Sequence, residues 1–146
     1  TTEIYTLSLH DALPISSIGQ FARMYAQNAK TLPEYYAALD AGRVSTHVGY
    51  RLSDDDVLRR DVIMTLMCDF AIDKRSIEHR YGIVFDEYFA DVPERLQELV
   101  DDGLVTITSD AIKVNGMGIL VIRNVAMAFD AYLPAQREKQ IFSRTV

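Results

Sequence analysis

SDDDVLRRDVIMTLMCDF, the stretch Ser53–Phe70, decides the fold of this chain. Ser53 and Asp54 are residue types that often cap the start of a helix, and acidic side chains in the first turn favour the positive end of the helix dipole. Apolar side chains then recur at every fourth position: Leu58, Val62, Leu66 and Phe70. This spacing predicts one amphipathic helix over the whole stretch, with its apolar face against the core.

Arg59 falls in the middle of that apolar face, where a cation without a partner is expensive to bury. The default interpretation is structural: the guanidinium pairs with a carboxylate of its own domain, or the stem covers apolar surface while the head reaches water. The second interpretation is that Arg59 meets an anionic ligand or the carboxylates of a neighbouring domain. The sequence leaves both interpretations open.

The composition indicates one ordinary globular domain. The chain has 146 residues, of which 49% are hydrophobic and 25% are charged. The net charge of −6 argues against nucleic acid as a partner, because such binding requires a basic surface. No apolar run reaches the ~18 residues that a membrane-spanning helix needs, so no membrane partner is expected.

Cys68 is the single cysteine, so the chain cannot form an internal disulfide or hold a metal on cysteines alone. Its position in the predicted helix indicates a small apolar filler. Low cysteine use suits a reducing cytoplasm, which is the predicted location. No Ser/His/Asp set and no glycine-rich phosphate loop occurs, and we therefore predict neither catalytic residues nor metal ligands in this chain.

The opening segment Thr1–Ile15, TTEIYTLSLHDALPI, back-translates into a widely used short-read sequencing adapter. We therefore expect residues 1–15 to be a translated adapter artefact joined in frame to a truncated gene. His10 and Asp11 would otherwise suggest a catalytic pair, and they are set aside for this reason.

The remaining chain divides into two predicted parts. Residues 16–52 form a connector with one helix, which starts at the capping box Thr31–Glu34 and ends near Ala41. Residues 53–146 form a helical domain. Its second helix is short, is capped by Asp73 and stops at Gly82.

The period changes from helical to alternating towards the end of the chain. Leu104–Thr108 and Ile112–Val114 predict a small β-hairpin. Met117–Leu133 predicts a last long helix, buried nearly all round because Leu120 and Met127 lie opposite its main apolar face. The predicted fold class is mainly α, a helical domain with a small β-hairpin that resembles a winged helix.

Two smaller expectations concern the same end of the chain. Arg123 and Asp130 lie seven residues apart on one side of the predicted last helix, so a structural pairing network is the default expectation for them. Phe142 is expected to dock the polar tail that follows.

Several phrases, read in order, carry a family resemblance. They are YAQNAKTLPEYYAALD, GYRLSDDD, RRDVIMTLMCDF, FDEYFAD, IRNVAMAFDAYL and the terminal FSRTV. Together they resemble the C-terminal region of the oxygen-independent coproporphyrinogen III oxidase family. The resemblance runs from Ser16 to Val146.

This resemblance implies a radical S-adenosylmethionine oxidoreductase of haem biosynthesis, truncated from a larger α/β barrel enzyme. The family oxidatively decarboxylates two propionates of coproporphyrinogen III with S-adenosylmethionine and a [4Fe–4S] cluster. The matching part is a helical lid over the barrel mouth, and residues 16–52 contain the end of the barrel. The resemblance implies Ile18 as a cofactor contact.

Arg59, Arg60 and Arg123 suit a domain that faces a substrate with several carboxylates, because guanidinium groups match carboxylates in a two-pronged geometry. They are therefore the predicted substrate-binding residues. Neither cofactor is expected to be bound to this part alone, which is predicted to be inactive and monomeric. The alternatives are a winged-helix module that binds nucleic acid or protein, and an orphan fragment that merely folds or aggregates.

Overall fold

A computed structural model describes residues 15–133 of the chain. The described chain divides between Asp55 and Asp56 into two compact units. The predicted docking of Phe142 lies outside the described residues, as does all of the predicted adapter segment except Ile15.

The first unit is a three-stranded antiparallel sheet with one helix. Its strands are β1 (Ile18–Phe21), β2 (Met24–Asn28) and β3 (Thr46–Arg51), in the order β1-β2-β3. The sequence predicted only a connector with one helix for residues 16–52. The stretches before and after that helix instead hydrogen-bond into one sheet, in which Gly19, Ala26 and Gly49 lie side by side.

Helix α1 (Leu32–Asp40) follows β2 in the chain at the position that the capping signal predicted, although the Thr31 side chain makes no capping hydrogen bond to the backbone. Thr31 precedes it, and its hydroxyl donates to the Glu34 carboxylate at 2.8 Å. The chain leaves the helix through Gly42, whose φ of +67° falls in the left-handed region that glycine adopts without steric cost.

The second unit contains short helices, one long helix and a second sheet. Its elements in chain order are α2 (Asp54–Asp69, which begins at the end of the first unit), β4 (Ala71–Asp73), α3 (Lys74–Tyr81), α4 (Phe85–Tyr88), α5 (Val92–Arg95), α6 (Gln97–Asp101), β5 (Val105–Ile107), β6 (Ala111–Val114), a 3-10 helix (Gly116–Val121) and α7 (Ile122–Met127). The Asp73 side chain accepts a hydrogen bond from the Ser76 N–H at the start of α3, which confirms the predicted cap.

Helix α2 supplies one wall of the core. Leu58, Val62 and Leu66 are buried on it, which confirms the apolar face read from the sequence. An aromatic cluster belongs to the same core, and in it Phe89 lies 4.8 Å from Phe85 and 5.3 Å from Phe129 between ring centroids. The prediction for Cys68 was wrong, because its side chain is exposed on the outer side of the helix.

The second sheet changes the fold class from mainly α to mixed α/β. The predicted hairpin is present as β5 and β6, but β4 pairs with the other side of β6, so the strand order is β4-β6-β5. Phe70 adopts a φ of +56° and turns the chain directly from α2 into β4, where Ile72 pairs with Ile112. A left-handed non-glycine residue gives no sequence signal, which is why the strand was missed.

The prediction of a long last helix was also wrong. The chain forms the 3-10 helix Gly116–Val121 and then only six residues of α-helix, α7. Gly118 is buried so closely against the hairpin that a Cβ atom there would overlap the Leu104 carbonyl oxygen. Leu120 and Met127 are exposed rather than enclosed. Among the described residues, no helix has the length and apolar character to cross a membrane.

Candidate functional site

Arg59 is half-buried on α2, and its guanidinium group contacts the aromatic cluster. Nη1 donates a hydrogen bond of 3.0 Å to the carbonyl oxygen of Phe129. Cζ lies 5.7 Å from the ring centroid of Tyr88 and 5.3 Å from that of Phe89. The cation on the apolar face is therefore stabilised by a backbone oxygen and by aromatic faces of its own unit.

A second arginine binds the same stretch of backbone. Arg95 Nη2 donates to the carbonyl oxygens of Met127 at 3.1 Å and Asp130 at 3.4 Å. The last carbonyl groups of a helix have no partner within the helix, and cationic side chains are favourable there. Arg59 and Arg95 thus act together on the carbonyl groups at the end of α7, and we call this pair the carbonyl clamp.

The chain beyond α7 is fixed by a tyrosine as well. The Tyr132 hydroxyl donates to the carboxylate of Asp56 at 2.6 Å. Asp56 is buried at the start of α2, where the sequence indicated only a favourable charge for the helix dipole. The Asp130 carboxylate accepts the backbone N–H of Tyr132 at 2.7 Å. The Arg59 bond to Phe129 and the Tyr132 bond to Asp56 therefore tie residues 129–132 to α2.

Arg60 belongs to a separate cluster centred on Asp61. Nε and Nη2 of Arg60 both lie 3.1 Å from Oδ1 of Asp61. The other carboxylate oxygen accepts a hydrogen bond from the Tyr81 hydroxyl, and the Arg80 guanidinium lies 3.8 Å from it. The charge of Arg60 is therefore largely balanced within its own unit.

The Asp61 cluster also changes the acidity of its tyrosine. Burial disfavours the charged phenolate of Tyr81, and the hydrogen bond to the anionic Asp61 adds to this effect. The pKa of Tyr81 is consequently raised above its ordinary value. Tyr81 thus remains a hydrogen-bond donor to Asp61 at any pH near neutrality.

Arg123 differs from the other two predicted arginines because it is exposed on α7. Within residues 15–133 the predicted pair between Arg123 and Asp130 is not present. The helix ends at Met127, so the seven-residue spacing does not place the two side chains on one helix face. Asp130 uses its carboxylate to accept backbone N–H groups instead.

Ile18, the predicted cofactor contact, lies on β1 of the first unit. Its partner across the sheet is Gln27, and 67% of its surface is exposed. The structure places Arg59 and Arg60 side by side on α2 but gives them different partners, Phe129 and Asp61. The functional roles of all four residues stay predictions.

Three groups of polar residues were not found by reading the sequence for function. They are the Asp61–Tyr81 cluster, the Asp56–Tyr132 bond and the buried ammonium group of Lys74, which pairs with Asp86 at 2.6 Å and lies 5.7 Å from the ring centroid of Phe85. The hydrogen-bonded residues in these groups are separated by 12 to 76 positions in the sequence, except for the adjacent Arg60 and Asp61. No local sequence pattern therefore indicates these contacts.

The described residues contain no group of three or more His, Cys, Asp or Glu side chains that could hold a metal ion. One shallow groove of about 380 Å³ lies beside β4. Its charged lining consists of Arg75, Lys113, Asp73 and Asp110, and Arg75 pairs with Asp110 at 3.0 Å. The lining therefore carries no net formal charge.

Comparison with known proteins identifies relatives of this architecture. Residues 52–121 match the family model described as the HemN C-terminal domain. The chain is 41% identical over 132 residues to the oxygen-independent coproporphyrinogen III oxidase of Salmonella typhimurium, and 40% identical over 136 residues to that of Synechocystis sp.. Each match covers 90% of this chain.

A solved structure agrees with the sequence matches. It is that of coproporphyrinogen III oxidase (HemN) from Escherichia coli, described as a radical SAM enzyme, with a TM-score of 0.76 and 40% identity. The superposition covers 81% of this chain and 27% of that one. The chain spans 29% of the length of the Salmonella and Synechocystis relatives.

These matches confirm the family resemblance carried by the sequence phrases, and they do not favour the alternative of a winged-helix binding module. The TM-score extends the agreement from sequence to backbone. The chain is therefore homologous to the oxygen-independent coproporphyrinogen III oxidases, and its residues 52–121 match the HemN C-terminal domain.

Proposed function

We propose that this chain supplies the C-terminal part of an oxygen-independent coproporphyrinogen III oxidase. The observation that carries the proposal is the 41% identity over 132 residues to a relative of that name. The TM-score of 0.76 to the solved E. coli enzyme supports it independently of the sequence phrases. We further propose that the enzyme to which this part belongs is cytoplasmic and monomeric.

The reaction of such an enzyme is the oxidative decarboxylation of two propionate side chains of coproporphyrinogen III to vinyl groups. S-adenosylmethionine and a [4Fe–4S] cluster supply the radical chemistry when they are bound. A cluster of this kind requires three cysteine ligands, whereas this chain contains one cysteine. The cluster therefore does not belong to the residues present here, and this chain alone is expected to be inactive.

The role left for this chain is to cover the substrate and to exclude water from it. A cover that shuts out solvent protects a reactive intermediate and strengthens charged contacts inside the site. The proposed cofactor contact is Ile18, because the exposed β1 strand can lie against a larger body.

The three arginines are proposed to meet the substrate carboxylates, and the structure suggests an order among them. Arg123 is exposed, so its guanidinium can reach a ligand without a rearrangement of the core. Arg59 and Arg60 are held by Phe129 and Asp61, so substrate binding by either one must compete with an existing partner. Arg123 is therefore the first residue to test.

The test joins residues 16–146 of this chain to the part of the Salmonella relative that they do not match, under anaerobic conditions with a reconstituted cluster. We expect the joined protein to form protoporphyrinogen IX, because it then contains all parts of the enzyme. We expect no product from this chain alone. The Salmonella part without this chain is the matched control, and it should form no product either.

Arg123→Ala in the joined protein should raise KM by roughly tenfold, because losing one charge-assisted hydrogen bond to the substrate weakens binding by about that factor. The melting temperature should change little. Product formation by this chain alone would refute the proposed division of roles. An inactive joined protein with a fully occupied cluster and bound S-adenosylmethionine would refute the proposed function.

A further inference from the structure

We propose that Met117, Ile119 and Leu120 form the surface through which this domain docks on the remainder of the full-length enzyme. We call these three side chains the apolar platform. The inference rests on the proposed function, and it adds the location of the contact, which neither the family match nor the fold specifies.

The apolar platform is exposed although each of its side chains is large and apolar. Met117 is 69% exposed, Ile119 is 41% exposed and Leu120 is 76% exposed. The three lie within one 3-10 helix, Gly116–Val121. Single exposed apolar residues are ordinary on protein surfaces, whereas adjacent ones mark interaction sites.

The backbone below the apolar platform is held tightly in place. Asn115 donates from its backbone N–H to the Leu104 carbonyl at 2.8 Å and from its side chain to Thr106 Oγ1 at 2.7 Å. Gly118 lies so close to the Leu104 carbonyl and the Val114 side chain that only glycine fits. The segment therefore cannot turn over to bury its apolar side chains against its own unit.

The six residues from Met117 to Ile122 include no polar side chain, which is typical of a segment that is enclosed by protein. The structure buries Gly118 in this segment, and Val125 and Ala126 are buried just after it. The same segment carries the exposed apolar platform. The pattern and the structure agree only if a further surface covers that platform.

The remaining polypeptide of a full-length enzyme is the occupant that fits best. The Salmonella relative is much longer than this chain, which spans 29% of its length. A second copy of this chain fits less well, because each copy carries a net charge of −6 and like-charged molecules repel each other. Methionine and large apolar side chains are also the residue types found at the cores of protein interfaces.

The experiment measures the accessibility of the apolar platform. Leu120→Cys is made in a Cys68→Ser background, since the native thiol is itself exposed. Maleimide labelling of the introduced thiol is followed by mass spectrometry of its peptide, in this chain alone and in the protein joined to the Salmonella part. The matched control is Met64→Cys on α2, where the native side chain is 53% exposed.

We expect labelling at position 120 to slow by at least about tenfold in the joined protein, with no comparable change at position 64. Equal labelling of position 120 in both proteins would overturn the inference. Slow, concentration-dependent labelling in this chain alone would overturn it too, because a second copy would then be the occupant. Equal slowing at both positions would also count against it, because the protection would not be specific to the apolar platform.

Activity of the joined protein separates this inference from the proposed function. A joined protein that is active and labels freely at position 120 retains the function and refutes the docking surface. A joined protein that is inactive but protected at position 120 refutes the proposed activity and retains the surface.

Discussion

Replacing Arg59 by alanine tests whether the carbonyl clamp stabilises the second unit. The substitution removes one charge-assisted hydrogen bond to the Phe129 carbonyl, worth about 1.5–3 kcal/mol. It also removes cation–π contacts to Tyr88 and Phe89, worth about 0.5–1 kcal/mol each at partly exposed sites. Phe129 is fully buried, but Arg59 is half-buried, so water that fills the space of the removed side chain can hydrate the carbonyl and recover part of this loss.

We therefore expect Arg59→Ala to lower the free energy of unfolding by about 2–3 kcal/mol. For a unit of this size the melting temperature should fall by roughly 10 °C or more. The measurement is urea unfolding followed by circular dichroism, with a thermal scan alongside. Arg59→Lys keeps the charge and loses the planar group, so its effect should be intermediate.

The matched control is Arg123→Ala, which removes an exposed arginine of the same unit and should change stability by less than about 0.5 kcal/mol. The reasoning is refuted if Arg59→Ala and Arg123→Ala unfold at the same urea concentration. In that case the contacts of Arg59 would be compensated by water, and a role in ligand binding would become the better explanation for a cation on this face.

Two further predictions concern Tyr81 and Gly118. Tyr81→Phe should cost about 1 kcal/mol at neutral pH through the lost hydrogen bond to Asp61. The pKa of Tyr81 is raised in the folded state, so above pH ~10 the folded protein binds more protons than the unfolded protein. The stability that the native protein has over Tyr81→Phe should therefore decrease as the pH rises above ~10. If the difference in unfolding free energy between the native protein and Tyr81→Phe stays constant between pH ~8 and ~11, this prediction is contradicted. Gly118→Ala should lower the free energy of unfolding, measured in urea, by about 1–3 kcal/mol, because the new methyl group overlaps the Leu104 carbonyl. The control Met117→Ala should lower it only slightly. Equal losses for the two variants would show that the segment is not held as described.

The long helix α2 could be predicted because its period persists over sixteen residues. Its apolar residues Leu58, Val62 and Leu66 are buried as expected. The hairpin and the cap at Asp73 were also predictable, since turn and cap residues act through their immediate neighbours. Local signals of this kind remain readable without knowledge of the tertiary structure.

The errors arose where a distant contact overrides the local pattern. Strand β4 follows a left-handed Phe70, and its partner strand β6 lies about forty residues further along the chain. The last helix is interrupted where Gly118 meets Leu104, and no periodicity analysis contains that contact. Cys68 was assigned to the core although it lies beyond the edge of the apolar face.

The candidate site shows the same limit. The sequence identified Arg59 as a cation that needs a partner, but the carbonyl of Phe129 lies 70 residues away. A backbone carbonyl has no residue identity, so no sequence pattern could name it as the partner. The predicted pair between Arg123 and Asp130 is absent from the described residues because α7 ends at Met127, and no local pattern fixes that end.

The carbonyl clamp has a consequence for synthesis of the protein. Arg59 emerges from the ribosome long before Phe129, the residue that supplies its acceptor and the buried ring beside Phe89. Until then, the nascent helix carries a cation on its apolar side and faces an unfinished core. Translation of the final segment therefore completes the second unit, and a stop codon before Phe129 should leave a product for proteases to degrade.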